Sequence, residues 1–315
     1  MTNNHYAVAL LLGVMVLPGA LSNFFVYFLV LIGINLILVV SLDILVGYAG
    51  LISLAHAGFW GVGAYTSAIL TTRYGVPFPL ALLSAFFAGG AAGAMVAYPS
   101  IRLRGHSFVV MTFVAGLIIN VLFNDLEGIT RGPAGIPGIP FPQIGIPGVF
   151  SYTFAGYLSY YYLVLFFLVC LLVFKQRLVH SRFGRALVAI RSNEDLARSI
   201  GVPADRCKIQ AFAISAAFAG LAGSLYAHLL SFIGPETFTF VDSFNLFVMN
   251  FVGGRGSAAG PILGTLFLSL YREFMRDFSP VAAELSFGVL LLVAIGVMPS
   301  GMVGAYRKFR KRSRP

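Results

Sequence analysis

Ten apolar runs follow one another along this chain of 315 residues, at 7–21, 24–46, 51–70, 78–98, 108–123, 156–174, 209–230, 238–252, 258–271 and 281–298. An upright spanning helix needs about 20 apolar residues. Several runs are shorter, so half-helices or re-entrant segments are expected among about eight to ten spans. Only 10% of the residues are charged and 58% are hydrophobic, whereas about a quarter of a soluble domain is charged. The runs are unbroken, and barrel strands would instead alternate over about ten residues. The fold class is therefore all-α, a polytopic helical membrane protein with short or broken helices. No Lys or Arg precedes the first run, so it reads as a retained span and not as a secretory signal.

The formal net charge of +10 sits mainly in two places, a polar segment at 175–208 and a tail at 305–315. Basic residues crowded beside apolar spans are topology signals on the cytoplasmic side, which excludes a nucleic-acid reading of the charge. By the same rule Arg102, Arg104 and His106 fall inside, while a Gly/Pro-rich loop at 125–155 falls outside, as do Glu236 and Asp242. From that outer side to a cytoplasmic tail the chain crosses an odd number of times. A break at 253–257, GGRGS, satisfies this as two short spans or one re-entrant hairpin. Both termini are then expected in the cytoplasm. The outer loop reads as a segment lying on the membrane surface, or as a docking or gating surface. Its Ile, Phe and Val residues between prolines favour packing. Cys170 and Cys207 have neither metal-site spacing nor a disulfide setting.

The 175–208 segment carries eight Lys or Arg against three acids. Ser192 and Asp195 fit a capping box, so a helix starts after Ser192, with Glu194 and Asp195 at its positive end. Gly201 and Pro203 end it. Leu196 and Ile200 lie one turn apart on one side, as a contact surface for a partner would require.

Two apolar stretches are rich in glycine. The segment 41–65 holds Gly47, Gly50, Gly58, Gly61 and Gly63, where close helix contact or a helix interruption is expected. The second, FVGGRGSAAGPILGTLF, spaces Gly256, Gly260 and Gly264 four apart. Along 209–230, Ser215, Ala219, Gly223 and Ala227 form one ridge of small residues, and Ala216, Gly220 and Ser224 the next. Such ridges pack within one subunit or against another. Asp43, His56 and His228 are ionisable groups inside spans, and Arg255 sits in the GGRGS break. Intramembrane charge is a functional-site hypothesis by default, with hydrogen-bonded helix contacts as its alternative. Asp43, Gly47, Gly50, Ser53, His56, Gly58 and Gly61 are the candidates for a translocation path.

The chain contains no HExxH, no GxSxG and no GxxxxGK[ST] phosphate loop. Transport would have to be driven by a partner or by an ion gradient, and a carrier would usually carry more acidic groups at mid-membrane than Asp43 alone.

The segments GYAGLISLAHAGFWGVGAY, AIRSNEDLARSIGVPADRCKIQAFAISAAFAGLAGSLYA and FVGGRGSAAGPILGTLF, in that order and spacing, resemble the LivHM family of branched-chain amino acid ABC importer permeases. Length and the long polar loop resemble its M-type subunit. The resemblance implies a single permease domain over 1–315 with a type II-like importer architecture. It also implies a paralogous H-type permease, two cytoplasmic ATPases that hold ATP and Mg, and an extracytoplasmic binding protein. No cofactor bound by this chain is implied. By resemblance, Glu194, Asp195, Leu196, Ala197, Ile200 and Gly201 form the loop that couples to the ATPase. Gly220, Gly223, Gly256, Gly260 and Gly264 serve helix packing or an interface. Asp43, Leu51, Ile52 and Ala55 depart from common family residues, which leaves urea and short-chain amides as alternative solutes.

Overall fold

The computed structural model describes residues 17–103, 105–146, 150–276, 288 and 301–305. Most of the first expected span, the span at 281–298 and the tail from 306 lie outside the described residues. The helices are α1 (Asn23–Asp43), α2 (His56–Tyr74), α3 (Phe78–Ser100), α4 (His106–Asp125), α5 (Tyr157–His180), α6 (Arg182–Ser192), α7 (Glu194–Ser199), α8 (Ala204–Leu230), α9 (Phe240–Gly253) and α10 (Gly260–Arg276). Among the described residues five segments are long and apolar enough to cross a membrane: Asn23–Ala49, Phe78–Ser100, His106–Asp125, Tyr157–His180 and Ala204–Leu230. The all-α polytopic class stands.

α8 is the centre of the bundle, packed between α2 and α3, and its ridges of small residues are spent inside this chain. A Cβ on Gly63 of α2 would overlap the Gly220 carbonyl, one on Gly223 the Trp60 carbonyl, and one on Gly220 the Ala85 carbonyl. In lipid, where apolar burial between helices gains little, such backbone approach supplies the association energy. Buried side chains then join the helices by hydrogen bonds. Ser215 Oγ donates to the Ser41 carbonyl at 2.7 Å, and Ser224 Oγ donates to Ser67 Oγ at 2.7 Å.

The first glycine-rich stretch does interrupt its helix. α1 runs into a π-helical turn at Ile44–Ala49, Gly50 (φ +73°) ends it, and regular helix resumes only at His56. The expected span at 51–70 therefore starts later and runs to Tyr74. Its unwound backbone finds partners on other helices, since Leu54 N–H donates to Thr112 Oγ1 at 3.3 Å and Ala57 N–H to Ser243 Oγ at 2.9 Å. Irregular backbone at membrane depth is tolerated where protein satisfies it in this way.

The GGRGS break turns α9 back as α10. With 14 residues, α9 is about 21 Å long, short of a 30 Å core, and 17 residues of α10 are described. The two helices press together through glycine. A Cβ on Gly264 would overlap the Met249 carbonyl, and one on Gly253 the Gly260 carbonyl.

α5 extends six residues past the apolar run at 156–174, which brings Lys175 into the span. The loop after α4 is packed. β1 (Ile136–Pro137) pairs antiparallel with β4 (Phe232–Ile233) after α8, and Ile136 and Ile139 are buried. β2 (Gln143–Ile146) and β3 (Phe150–Thr153) form a hairpin beside it.

Candidate functional site

Two regions at opposite ends of the bundle concentrate the polar chemistry. The basic end carries α6 and α7. α6 is an amphipathic helix that the sequence reading had merged into basic flanks; Leu187 and Ile190 face the bundle, and Ser181 Oγ caps it by accepting from Gly184 N–H at 3.2 Å. The expected cap of α7 needs correction. Ser192 ends α6 and donates to the Val188 carbonyl at 3.0 Å, so the cap is Asn193, whose Oδ1 accepts from Leu196 N–H at 3.0 Å. Asn193 is extended (φ −160°) between the two helices, and the third helical residue is then Leu196, so no capping box forms with Asp195. Glu194 and Asp195 remain in the first turn, where the helix dipole favours them. Gly201 (φ +86°) does end α7. Its N–H bonds the Arg198 carbonyl and Val202 N–H bonds the Ala197 carbonyl, both at 3.0 Å, a Schellman pattern.

α7 docks through its buried face. Ala197 is buried, and Glu194 accepts from Lys208 at 2.5 Å and Arg198 at 3.0 Å. Arg198 also bonds Asp205 at 2.5 Å. Partial burial alone would raise the Glu194 pKa, but Lys208 and Arg198 outweigh it and hold the carboxyl below its usual range. The same carboxylates, Asp205 first and then Glu194, raise that of Arg198. Leu196 and Ile200 point away, 62% and 72% exposed.

Behind α7 lies a buried polar hub. Asp43, fully buried at the end of α1, accepts from Lys175 Nζ of α5 at 2.7 Å and from Gly256 N–H in the α9–α10 turn at 2.8 Å. Asn250 of α9, with its amide nitrogen toward the carboxylate, adds a bond to Oδ1 at 3.1 Å and accepts from Asp43 N–H at 3.1 Å. A Cβ on Gly47 would overlap the carboxylate and come 2.5 Å from Gly256 N. Gly256 itself is at φ +72°, with the Gly47 carbonyl 2.8 Å and Arg191 Nη1 2.9 Å from where its Cβ would be. Arg191 of α6 donates to that same Gly47 carbonyl, and its stem lies over Gly50. One arginine therefore ties the peripheral helices to both interrupted segments. A cleft of about 460 Å³ opens beside it, lined by Gly50, Ile52, His106, Arg191, Glu194 and Lys208.

The path candidates separate along the bundle. Asp43, Gly47 and Gly50 belong to the hub. Ser53 accepts from Ala55 N–H at 3.4 Å, and His56 Nε2 lies 3.1 Å from both Ser41 Oγ and the Leu38 carbonyl, a contact with α1. Gly58 meets Ile119 of α4, where a Cβ would come 3.2 Å from its Cδ1. His228 likewise bonds Ser67 at 2.9 Å and the Pro140 carbonyl at 2.6 Å. Gly61 lies under an aromatic cluster at the other end of the bundle, where a Cβ would overlap both Phe123 and Phe238.

That cluster joins Trp60 and Tyr65 of α2, Phe123 of α4, Tyr226 of α8, and Phe238 just before α9. Trp60 lies 4.8 Å from Tyr226 and 5.0 Å from Phe238, and Tyr65 stacks on Phe123 at 4.5 Å. Among the described residues three buried polar side-chain atoms lack a partner, and two are here: Trp60 Nε1 and Tyr65 Oη. A buried donor left unpaired costs about 1–3 kcal/mol. Among the described residues no cluster of His, Cys, Asp and Glu could hold a metal ion.

Sequence reasoning missed Lys175, Arg191 and Asn250. For Lys175 a signal existed, because a cation directly ending an apolar run is a natural mate for the one acid inside another. Arg191 was hidden among topology charges. The five aromatic residues offered no pattern, since they come from four separate stretches.

The family model described as branched-chain amino acid transport system / permease component matches residues 24–298. The chain is 36% identical to the high-affinity branched-chain amino acid transport system permease protein LivM of Escherichia coli, over 95% of this chain and 74% of that protein. Its counterpart in Salmonella typhimurium is also 36% identical, over 86% and 68%. The probable branched-chain amino acid transport permease protein LivH of Methanocaldococcus jannaschii is 21% identical over 88% and 91%. No solved structure matches. With its bundle, its interrupted helices and this match along nearly its whole length, the chain belongs to the family of branched-chain amino acid transport system permease components.

Proposed function

We propose that this chain is the M-type permease subunit of an ATP-driven importer of leucine, isoleucine and valine. Its partners would be an H-type permease, two cytoplasmic ATPases holding ATP and Mg, and an extracytoplasmic binding protein. It acts as a single permease domain in the bacterial inner membrane, with both termini in the cytoplasm, and translocates by alternating access. The relatives' names carry the solute class. The observation that carries the mechanism is α7, a capped helix docked through Ala197 and Glu194 that leaves Leu196 and Ile200 uncovered. A permease without a phosphate loop needs such a surface to receive force. Arg191 supports a route inward, since it follows α7's neighbour α6 to the Gly47 carbonyl and so to both broken helices.

Ion coupling is disfavoured by the hub. Asp43, the acid a carrier would use, is already engaged by Lys175, Gly256 and Asn250.

The test is a pull-down in mild detergent followed by uptake in vesicles with and without ATP. Recovery of the ATPases and ATP-dependent leucine uptake are expected, and Glu194→Lys or Gly201→Pro should uncouple uptake while the chain still inserts. Uptake that follows a proton or sodium gradient, with no ATPase recovered, would contradict the reading. Uptake of urea or an amide in place of leucine would correct the solute.

A further inference from the structure

We propose that the aromatic cluster of Trp60, Tyr65, Phe123, Tyr226 and Phe238 is a closed binding site for a small amino acid with an aliphatic side chain, in which Trp60 Nε1 and Tyr65 Oη are the donors to its carboxylate. The site deepens the importer reading, on which it rests, by naming where the solute is held.

Among the described residues the other buried polar side-chain atoms are paired, except the lone Ser269 Oγ of α10. Ser67, Ser224 and His228 bond one another, and Ser41 bonds His56. Two unpaired donors in one cluster are therefore a local exception, and a group of this kind calls for an explanation. Trp60 Nε1 can only donate, so its missing partner is an acceptor. The Phe238 ring plugs the cluster, its centroid 5.0 Å from that of Trp60 and 6.0 Å from that of Tyr65, and it packs over Gly61.

The remaining surfaces complete a match to a zwitterion with an apolar side chain. Aromatic faces accept an aliphatic chain, and they also attract an ammonium group. Glu236, exposed on the turn before Phe238, is an anion for the α-ammonium. The rings that line the cluster carry no charge to meet a lysine or glutamate side chain.

Phe238 is also placed to move. It lies on a short link between one 3-10 turn and α9, held through its backbone by Pro235 and Asn120. α9 runs from there to the turn whose Gly256 bonds Asp43, so a shift of the hub along α9 withdraws the plug.

Trp60 is the one tryptophan of the sequence, which makes its fluorescence a direct readout. With the full chain in lipid nanodiscs, leucine, isoleucine and valine should each shift its emission saturably, and lysine, glutamate and arabinose should not. Tyr65→Phe should abolish that shift and lower ATP-driven leucine uptake by the assembled transporter about tenfold at subsaturating leucine. Its melting temperature should match or exceed that of the unmodified chain, because only an unpaired hydroxyl is removed, and this separates lost binding from lost folding. An emission unmoved by leucine overturns the site, and so does Tyr65→Phe uptake within about twofold of the unmodified protein. ATP-driven uptake by the unmodified transporter tests the importer reading separately.

Discussion

At the basic end Asp43 accepts from three donors on three different segments, while at the opposite end Trp60 Nε1 and Tyr65 Oη are equally buried and bond nothing. Both regions sit beside an interrupted helix and both depend on glycine, so composition does not separate them. Satisfaction does. A fully paired buried network fixes one arrangement of the helices around it, whereas an unpaired donor marks an arrangement that another state improves. In the importer proposed here the hub is then the rigid joint through which α6 and α7 would act, and the cluster the part of the path that would change.

The largest effect should come from breaking the hub. Lys175→Ala strands a buried carboxylate and should cost about 3–5 kcal/mol, read as a large drop in detergent melting temperature. The double variant Asp43→Asn with Lys175→Met should recover most of it. A double variant no more stable than the single one would deny the pairing its role. Gly47→Ala comes next, because its Cβ meets the Asp43 carboxylate and backbone on two sides. A cost of about 1–3 kcal/mol is expected for such overpacking, and an unchanged melting curve would mean that the hub gives way easily.

Tyr65→Phe should act with the opposite sign, gaining up to about 1 kcal/mol by removing the unpaired hydroxyl. A clear loss of stability would place that hydroxyl among the satisfied groups and erase the contrast between the two ends.

The smallest effect is a pH dependence outside the bundle. Glu194 is held below the ordinary Glu value of about 4.3 by Lys208 and Arg198. Its contribution is complete above that value and is lost as pH falls through the lower folded one. The protection factors of the α7 amides, the intrinsic rate at each pH divided by the observed one, should therefore be constant from neutral pH to about 5 and fall only below about 4. Unchanged protection there would show that the ion pairs do not hold α7.

Most of the fold could be read from the chain. Long apolar runs require helices, and Gly50, GGRGS and Gly201 each mark a place where a helix does stop. The end of α7 was legible because the left-handed residue is a glycine. Its beginning was not, because Ser192 and Asn193 are both good caps, and the choice falls to α6, a helix whose existence depends on Leu187 and Ile190 docking against the bundle. The hub was half legible: Asp43 stood out as an acid in a span, while Lys175 read as a flank until α5 carried it inward. Asn250 and the aromatic cluster were hidden, since their meaning lies in contacts between segments more than a hundred residues apart, as between Asp43 and Asn250 or Trp60 and Phe238.

In the proposed importer force enters through α7. Leu196→Asp with Ile200→Asp changes only exposed side chains, so the fold should melt as before. ATP-dependent leucine uptake by the reconstituted transporter measures the rest. Uptake should fall to the level without ATP, with the ATPases no longer recovered alongside the permease. Unchanged ATP-driven uptake by that double variant would contradict that role for α7.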